Sequence, residues 1–89
     1  MAKYTVELSR GARRDLESLP AKVVQRIFPR IEALIENPRP NGARKLEGED
    51  NMYRIRIGDY RVLYTISDRQ KRVDVEAVLH RSKAYRALN

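Results

Sequence analysis

Cysteine and tryptophan are absent from this 89-residue chain, and histidine and phenylalanine occur once each. Without thiols there is no disulfide framework and no thiolate metal site. A single histidine, His80, also argues against a zinc site. Neither a metal nor an organic cofactor is expected. Long apolar runs are missing too: none nears the roughly 18 residues of a membrane span, and nothing reads as a signal-peptide core. A cytoplasmic protein with no membrane partner is expected. There is no internal repeat and no low-complexity segment.

Acidic residues are the scarcer charge. Against 19 lysines and arginines stand 12 aspartates and glutamates, a net charge of +7. That excess favours a polyanionic partner such as nucleic acid, an anionic membrane or an acidic protein. The length allows one domain, 1–89, with one thin core. Such a domain buries only roughly 60–65% of its unfolded surface, typically as one sheet with helices on one face.

The apolar pattern gives the order of elements. Tyr4, Val6 and Leu8 alternate with polar neighbours and predict a first strand. Ser9 is placed to cap a helix that runs to about Leu19, with Ala12, Leu16 and Leu19 inward. Pro20 punctuates the helix. A second helix is predicted from about Ala21 to Ile35 or Glu36, with Val24, Ile27, Phe28, Ile31, Leu34 and Ile35 at helical spacing. Pro29 inside it removes the bond to the Gln25 carbonyl, so a kink is expected. Residues 37–42 read as a loop, and 43–51 as polar chain with Leu46 as a core anchor. Period two then returns in Met52–Ile57, Tyr60–Ile66 and Val73–Arg81. The predicted fold is α+β, in the order β-α-α-β-β-β. An antiparallel-rich sheet carries a helical hairpin packed on one face and leaves the other uncovered.

Gly58-Asp59 between two strand patterns suits a type II′ hairpin turn, which fixes the register. Ile57 then pairs with Tyr60, Arg56 with Arg61, Ile55 with Val62, Arg54 with Leu63 and Tyr53 with Tyr64. Paired residues share a face. Tyr53, Ile55, Ile57, Tyr60, Val62, Tyr64 and Ile66 therefore face the helices, and Arg54, Arg56 and Arg61 share the uncovered side. Like charges directly opposite weaken a sheet, so folding alone gives no reason for Arg56 against Arg61. Converging guanidiniums make a site for phosphate or carboxylate. The plain alternative is a solvated cationic face whose arginines splay apart. In the last strand neither parity is cleanly polar, so which one faces the helices stays open. His80, Arg81 and Tyr85 fall near its end, where an aromatic beside arginines can stack a base while phosphates are held. Arg44 and Lys45 either extend the basic surface or, the preferred reading, stand in a solvated loop.

The stretch from Tyr53 to Tyr64, followed by His80-Arg81-Ser82-Lys83-Ala84-Tyr85-Arg86, resembles the RelE branch of the RelE/ParE toxin superfamily. The resemblance spans essentially the whole chain. It implies a RelE-like, microbial RNase-like fold and a toxin of a type II toxin–antitoxin pair. It further implies a metal-independent endoribonuclease that cuts messenger RNA in the ribosomal A site and so inhibits translation. The implied partners are a cognate antitoxin, the ribosome with its message, and operator DNA only as the toxin–antitoxin complex. The family's functional positions fall on Arg61, Arg81 and Tyr85, with the basic positions of the preceding strand on Arg54 and Arg56. In some relatives those two are lysines.

With catalytic roles expected for Arg61, Arg81, Tyr85 and Arg56, and RNA contacts for Arg54, Lys45 and His80, the missing piece is a base. Arginine's pKa exceeds 12, so on the order of one molecule in 10⁵ or fewer is neutral at pH 7. Tyr85, His80, ribosomal RNA or no discrete group remain; Tyr85 is preferred over His80. Two rival readings share the same sequence. One is a ParE-like toxin that inhibits DNA gyrase, the other a non-catalytic nucleic-acid-binding partner of an antitoxin repressor.

Overall fold

The computed structural model describes residues 3–48 and 51–83. Strand β1 (Thr5–Leu8) half-buries Val6 and Leu8 and exposes Thr5 and Glu7, as its alternation requires. Ser9 has extended backbone and caps helix α1 (Arg10–Glu17): its Oγ accepts from the Ala12 N–H at 3.0 Å. Pro20 is the N-cap of α2 (Ala21–Glu32). The second helix stops earlier than its apolar spacing suggests, tightening into a 3₁₀ turn over Ala33–Ile35. It runs unbroken through Pro29, which stands exposed on its outer side. Phe28, counted inward from its spacing, is 40% exposed.

Four further strands follow: β2 (Arg44–Lys45), β3 (Met52–Ile57), β4 (Tyr60–Ser67) and β5 (Arg72–His80). The sheet has five strands in the order β1-β5-β4-β3-β2, with β1 parallel to β5 and the remaining pairs antiparallel. β2 is the strand missed in the sequence, because two residues are too short to show a period. Leu46 is only half-buried; its backbone N–H bonds Met52 O at 2.9 Å and closes the β2–β3 corner.

The core lies between the helices and one sheet face. Ala12, Leu16, Ile27, Ile31 and Leu34 pack on Ile55, Ile57, Val62, Tyr64, Ile66 and the valines of β5. The leucines, isoleucines and valines among them contribute about 1.5–3 kcal/mol each when fully buried. Tyr64 is wholly buried, and its hydroxyl donates to Pro38 O at 2.8 Å. Burial pushes that phenol up to about 12.

The open parity question in β5 has a physical answer. Leu63 pairs with Ala77 and Tyr64 with Val75, so Glu76 is the extra residue of a bulge. The buried positions switch phase there, from Val73 and Val75 to Val78. Helix α1 serves the edge of β5 that β1 is too short to reach. Ser9 N–H bonds Val75 O at 2.9 Å, Ser9 Oγ donates to Glu76 O at 3.0 Å, and Asp15 Oδ2 accepts from Val78 N–H at 2.9 Å.

Candidate nucleic-acid interface

The β3–β4 hairpin has the register its turn dictates, with Ile57 against Tyr60, Arg56 against Arg61 and Arg54 against Leu63. Gly58 sits at φ +59°, as the first central position of a type II′ turn demands. A Cβ there would also lie 2.8 Å from Nη2 of Arg26, whose guanidinium covers the turn from α2 and would have to shift.

In a hairpin with a two-residue loop, the residues flanking the loop form the hydrogen-bonded pair. Ile57 and Tyr60 take that role, so Arg56 and Arg61 form the next, closer-set pair. Arg61 turns its guanidinium back on the hairpin, with Nη1 donating to Gly58 O at 3.1 Å and Tyr60 O at 3.0 Å. Arg81 is drawn to the same turn: its N–H bonds Asp59 O at 2.6 Å, and its Nε stands 3.9 Å from Asp59 Oδ1.

The electrostatics mark a site short of anions. Arg61 is held below the ordinary arginine value by partial desolvation first, then by Arg56 and Arg81, with Asp59 opposing. Arg54 is lowered by desolvation and then by Arg56, Arg44 and Arg61. Among the described residues the ion pairs of Lys3, Arg39 and Arg72 lie elsewhere, and Arg81 has only the long contact to Asp59. Arginines this crowded stay charged, so each lowers the cost of seating an anion between them.

Not every expected residue joins this face. Lys45 pairs with Tyr53 and so points to the helix side, whereas its neighbour Arg44 pairs with Arg54 and points with the arginines. His80 pairs with Tyr60, also on the helix side. Its ring meets that of Tyr60 edge-on at 5.4 Å and 87°, in a recess shared with Asp15, Leu19 and Lys83. The Ser82 N–H donates to its Nδ1 at 3.2 Å. Lys45 and His80 are thus separated by the sheet from Arg54, Arg56 and Arg61. Tyr85 lies outside the described residues. Two residues that the sequence did not single out, Arg30 and Asn41, border the arginines at the sheet edge. Their loop-and-helix positions carry no period that would have flagged them.

The family model for the ParE toxin of the type II toxin–antitoxin system parDE matches residues 6–85. Toxin RelE of Mycobacterium tuberculosis is 33% identical over 84 residues, covering 93% of this chain and 87% of that protein. The archaeal RelE–RelB complex of Pyrococcus horikoshii superposes with a TM-score of 0.79 at 30% identity, over 93% of this chain and 99% of that one. The RelBE2 toxin–antitoxin complex of M. tuberculosis gives 0.78 at 32% identity, over 89% and 99%. The chain belongs to the RelE/ParE superfamily of toxins of type II toxin–antitoxin systems.

Proposed function

We propose that this chain is an endoribonuclease toxin that cuts messenger RNA on the ribosome and is silenced by a cognate antitoxin. The observation that carries the reading is the set Arg54, Arg56 and Arg61 on one sheet face, without an acidic partner among the described residues, and with Arg81 tied to the same turn. The reaction is attack of a ribose 2′-oxygen on the adjacent phosphorus. The bond to the 5′-oxygen breaks, leaving a 2′,3′-cyclic phosphate and a 5′-hydroxyl. The proton lost by the 2′-oxygen goes to the base, and the leaving 5′-oxygen takes one from water.

Arg56 and Arg61 stabilise the extra charge of the phosphorane-like transition state. Arg54 holds a neighbouring phosphate, and Arg81 binds phosphate or assists the leaving oxygen. Tyr85 orients a base and is the preferred proton acceptor. Lacking a strong acid–base pair, the chain cuts naked RNA slowly and relies on the ribosome for alignment. The RelE–RelB and RelBE2 complexes of the relatives support a partner antitoxin, and the net charge of +7 is the reason to expect an acidic toxin-binding segment in it.

The test is primer-extension mapping of transcripts after induction of wild type and of Arg61→Ala. Wild type should truncate transcripts within codons, and Arg61→Ala should not, with its melting temperature unchanged. Intact transcripts with a DNA-damage response would instead indicate gyrase inhibition. Wild-type cleavage by Arg61→Ala would overturn the assignment of the site.

A further inference from the structure

β2 ends after two residues, so β3 from Ile55 to Ile57 has no strand on its outer side. The register decides what that edge presents. Ile57 and Ile55 bond toward β4, so the backbone N–H and C=O of Arg56 point outward. The bond from Leu46 N–H to Met52 O, on the same parity, confirms the direction. Outside this edge is a recess of about 210 Å³ lined by Arg30 of α2, by Asn41, Gly42 and Arg44, and by Arg54 and Arg56. Four arginines from three elements thus line the recess with an asparagine and a free main-chain donor, and no aspartate or glutamate lines it. Ile55 also lines the recess but is only 1% exposed, so it offers little surface to an apolar peptide side chain.

We infer that this edge recess binds a second backbone phosphate of the single-stranded RNA whose scissile phosphate lies on the Arg56–Arg61 face. The inference rests on the RNA-cleavage reading and extends it. Arg54 and Arg56 form a wall common to both sites, so one strand can cross the arginine face and turn around the sheet edge. Holding the strand at two points sets which phosphate arrives at Arg61. Arg30 and Asn41 are then positioning residues for the substrate.

The test is fluorescence anisotropy with a labelled oligoribonucleotide carrying a 2′-deoxy block at the cut site, titrated over a range of salt. Arg30→Ala/Asn41→Ala should weaken binding about tenfold at low salt. The slope of log affinity against log salt should become shallower by roughly 0.7, the value for one phosphate on a single strand. A scan of single methylphosphonates should find one position, away from the scissile one, that weakens wild type and is silent in the variant. Arg30→Lys should restore most of the slope. Both side chains are exposed, so the melting temperature should not move. An effect with the oligonucleotide alone, or on programmed ribosomes with one methylphosphonate position in the message, supports the inference; an effect on ribosomes that no methylphosphonate in the message reproduces would overturn it. An unchanged slope and scan in the double variant would overturn the inference while leaving RNA binding by Arg61 intact. So would a variant that loses only an acidic antitoxin peptide. No RNA binding by wild type, alone or on ribosomes, would instead remove the cleavage reading itself.

Discussion

Arg56 stands directly opposite Arg61 in the closer-set pair of the β3–β4 hairpin. Opposed like charges weaken a sheet by roughly 0.2–1 kcal/mol. The stability of the hairpin and the binding of an anion therefore pull these two positions in opposite directions.

Arg56→Thr should raise stability by about 0.2–1 kcal/mol, since it removes the opposed charge and supplies a good strand former. The same substitution should slow single-turnover cleavage on ribosomes by roughly 10²–10³-fold, the range for losing one preorganised donor. Urea unfolding and a quench assay read the two effects separately. A variant that is less stable and equally active would contradict both halves.

The proton acceptor can be addressed by pairing Tyr85→Phe with His80→Gln. His80 is on the helix side of the sheet against Tyr60, so His80→Gln should leave the rate on ribosomes within a few-fold. Tyr85→Phe should slow the chemical step by roughly 10²–10⁴-fold with little change in binding. The reverse pattern would make His80 the base; no effect from either would mean that the protein supplies none.

Gly58→Ala should destabilise the hairpin by about 1–2 kcal/mol, because φ +59° is the left-handed region. The new methyl also displaces Arg26. Adding Arg26→Ala removes only the contact, so the double variant should recover part of the loss in a thermal melt, not all of it.

At the opposite end of the sheet, Arg39 grips Asp68 through two bonds of 3.1 and 2.9 Å, and Tyr4 donates to the same carboxylate at 2.6 Å. The Arg39 bond first, and the Tyr4 bond second, hold Asp68 down at about 2 from 3.8. A depressed carboxylate stabilises the fold above its unfolded value and stops doing so as pH falls through its folded value. The contribution should therefore fade between about pH 4 and pH 2. Melting temperatures over that window should fall more for wild type than for Asp68→Asn. Parallel curves would mean that the exposed cluster contributes nothing measurable, as solvent screening allows.

How far the sequence could be read depended on where local chemistry fixes geometry. Gly58-Asp59 sets a turn, the turn sets a register, and the register placed Arg54, Arg56 and Arg61 on one face without tertiary information. Ser9 likewise marked its own helix start. What was illegible had no local mark. The bulge at Glu76 is imposed by α1 and by β4, so neither parity of β5 could be chosen and His80 could not be assigned a side. β2 is too short to show alternation, which left Lys45 and Arg44 indistinguishable until their pairing with Tyr53 and Arg54 was known. Arg30 and Asn41 reach the edge only through the packing of α2 and the loop.

The treatment of the two sheet edges has a consequence for the unaccompanied protein. On one side, Ser9 and Asp15 of α1 occupy the outer groups of β5 beyond the short β1. On the other, the outward groups of β3 are flanked by Arg30, Arg44, Arg54 and Arg56. An incoming strand from another copy finds the outer groups of β5 beyond β1 already taken and meets a wall of like charge beside β3. On the proposed reading, the arginines would then oppose self-association as well as bind anions. Neutralising several of them at once should shift the chain toward sheet-extended oligomers before it unfolds, an outcome that light scattering on a multiply substituted variant would reveal.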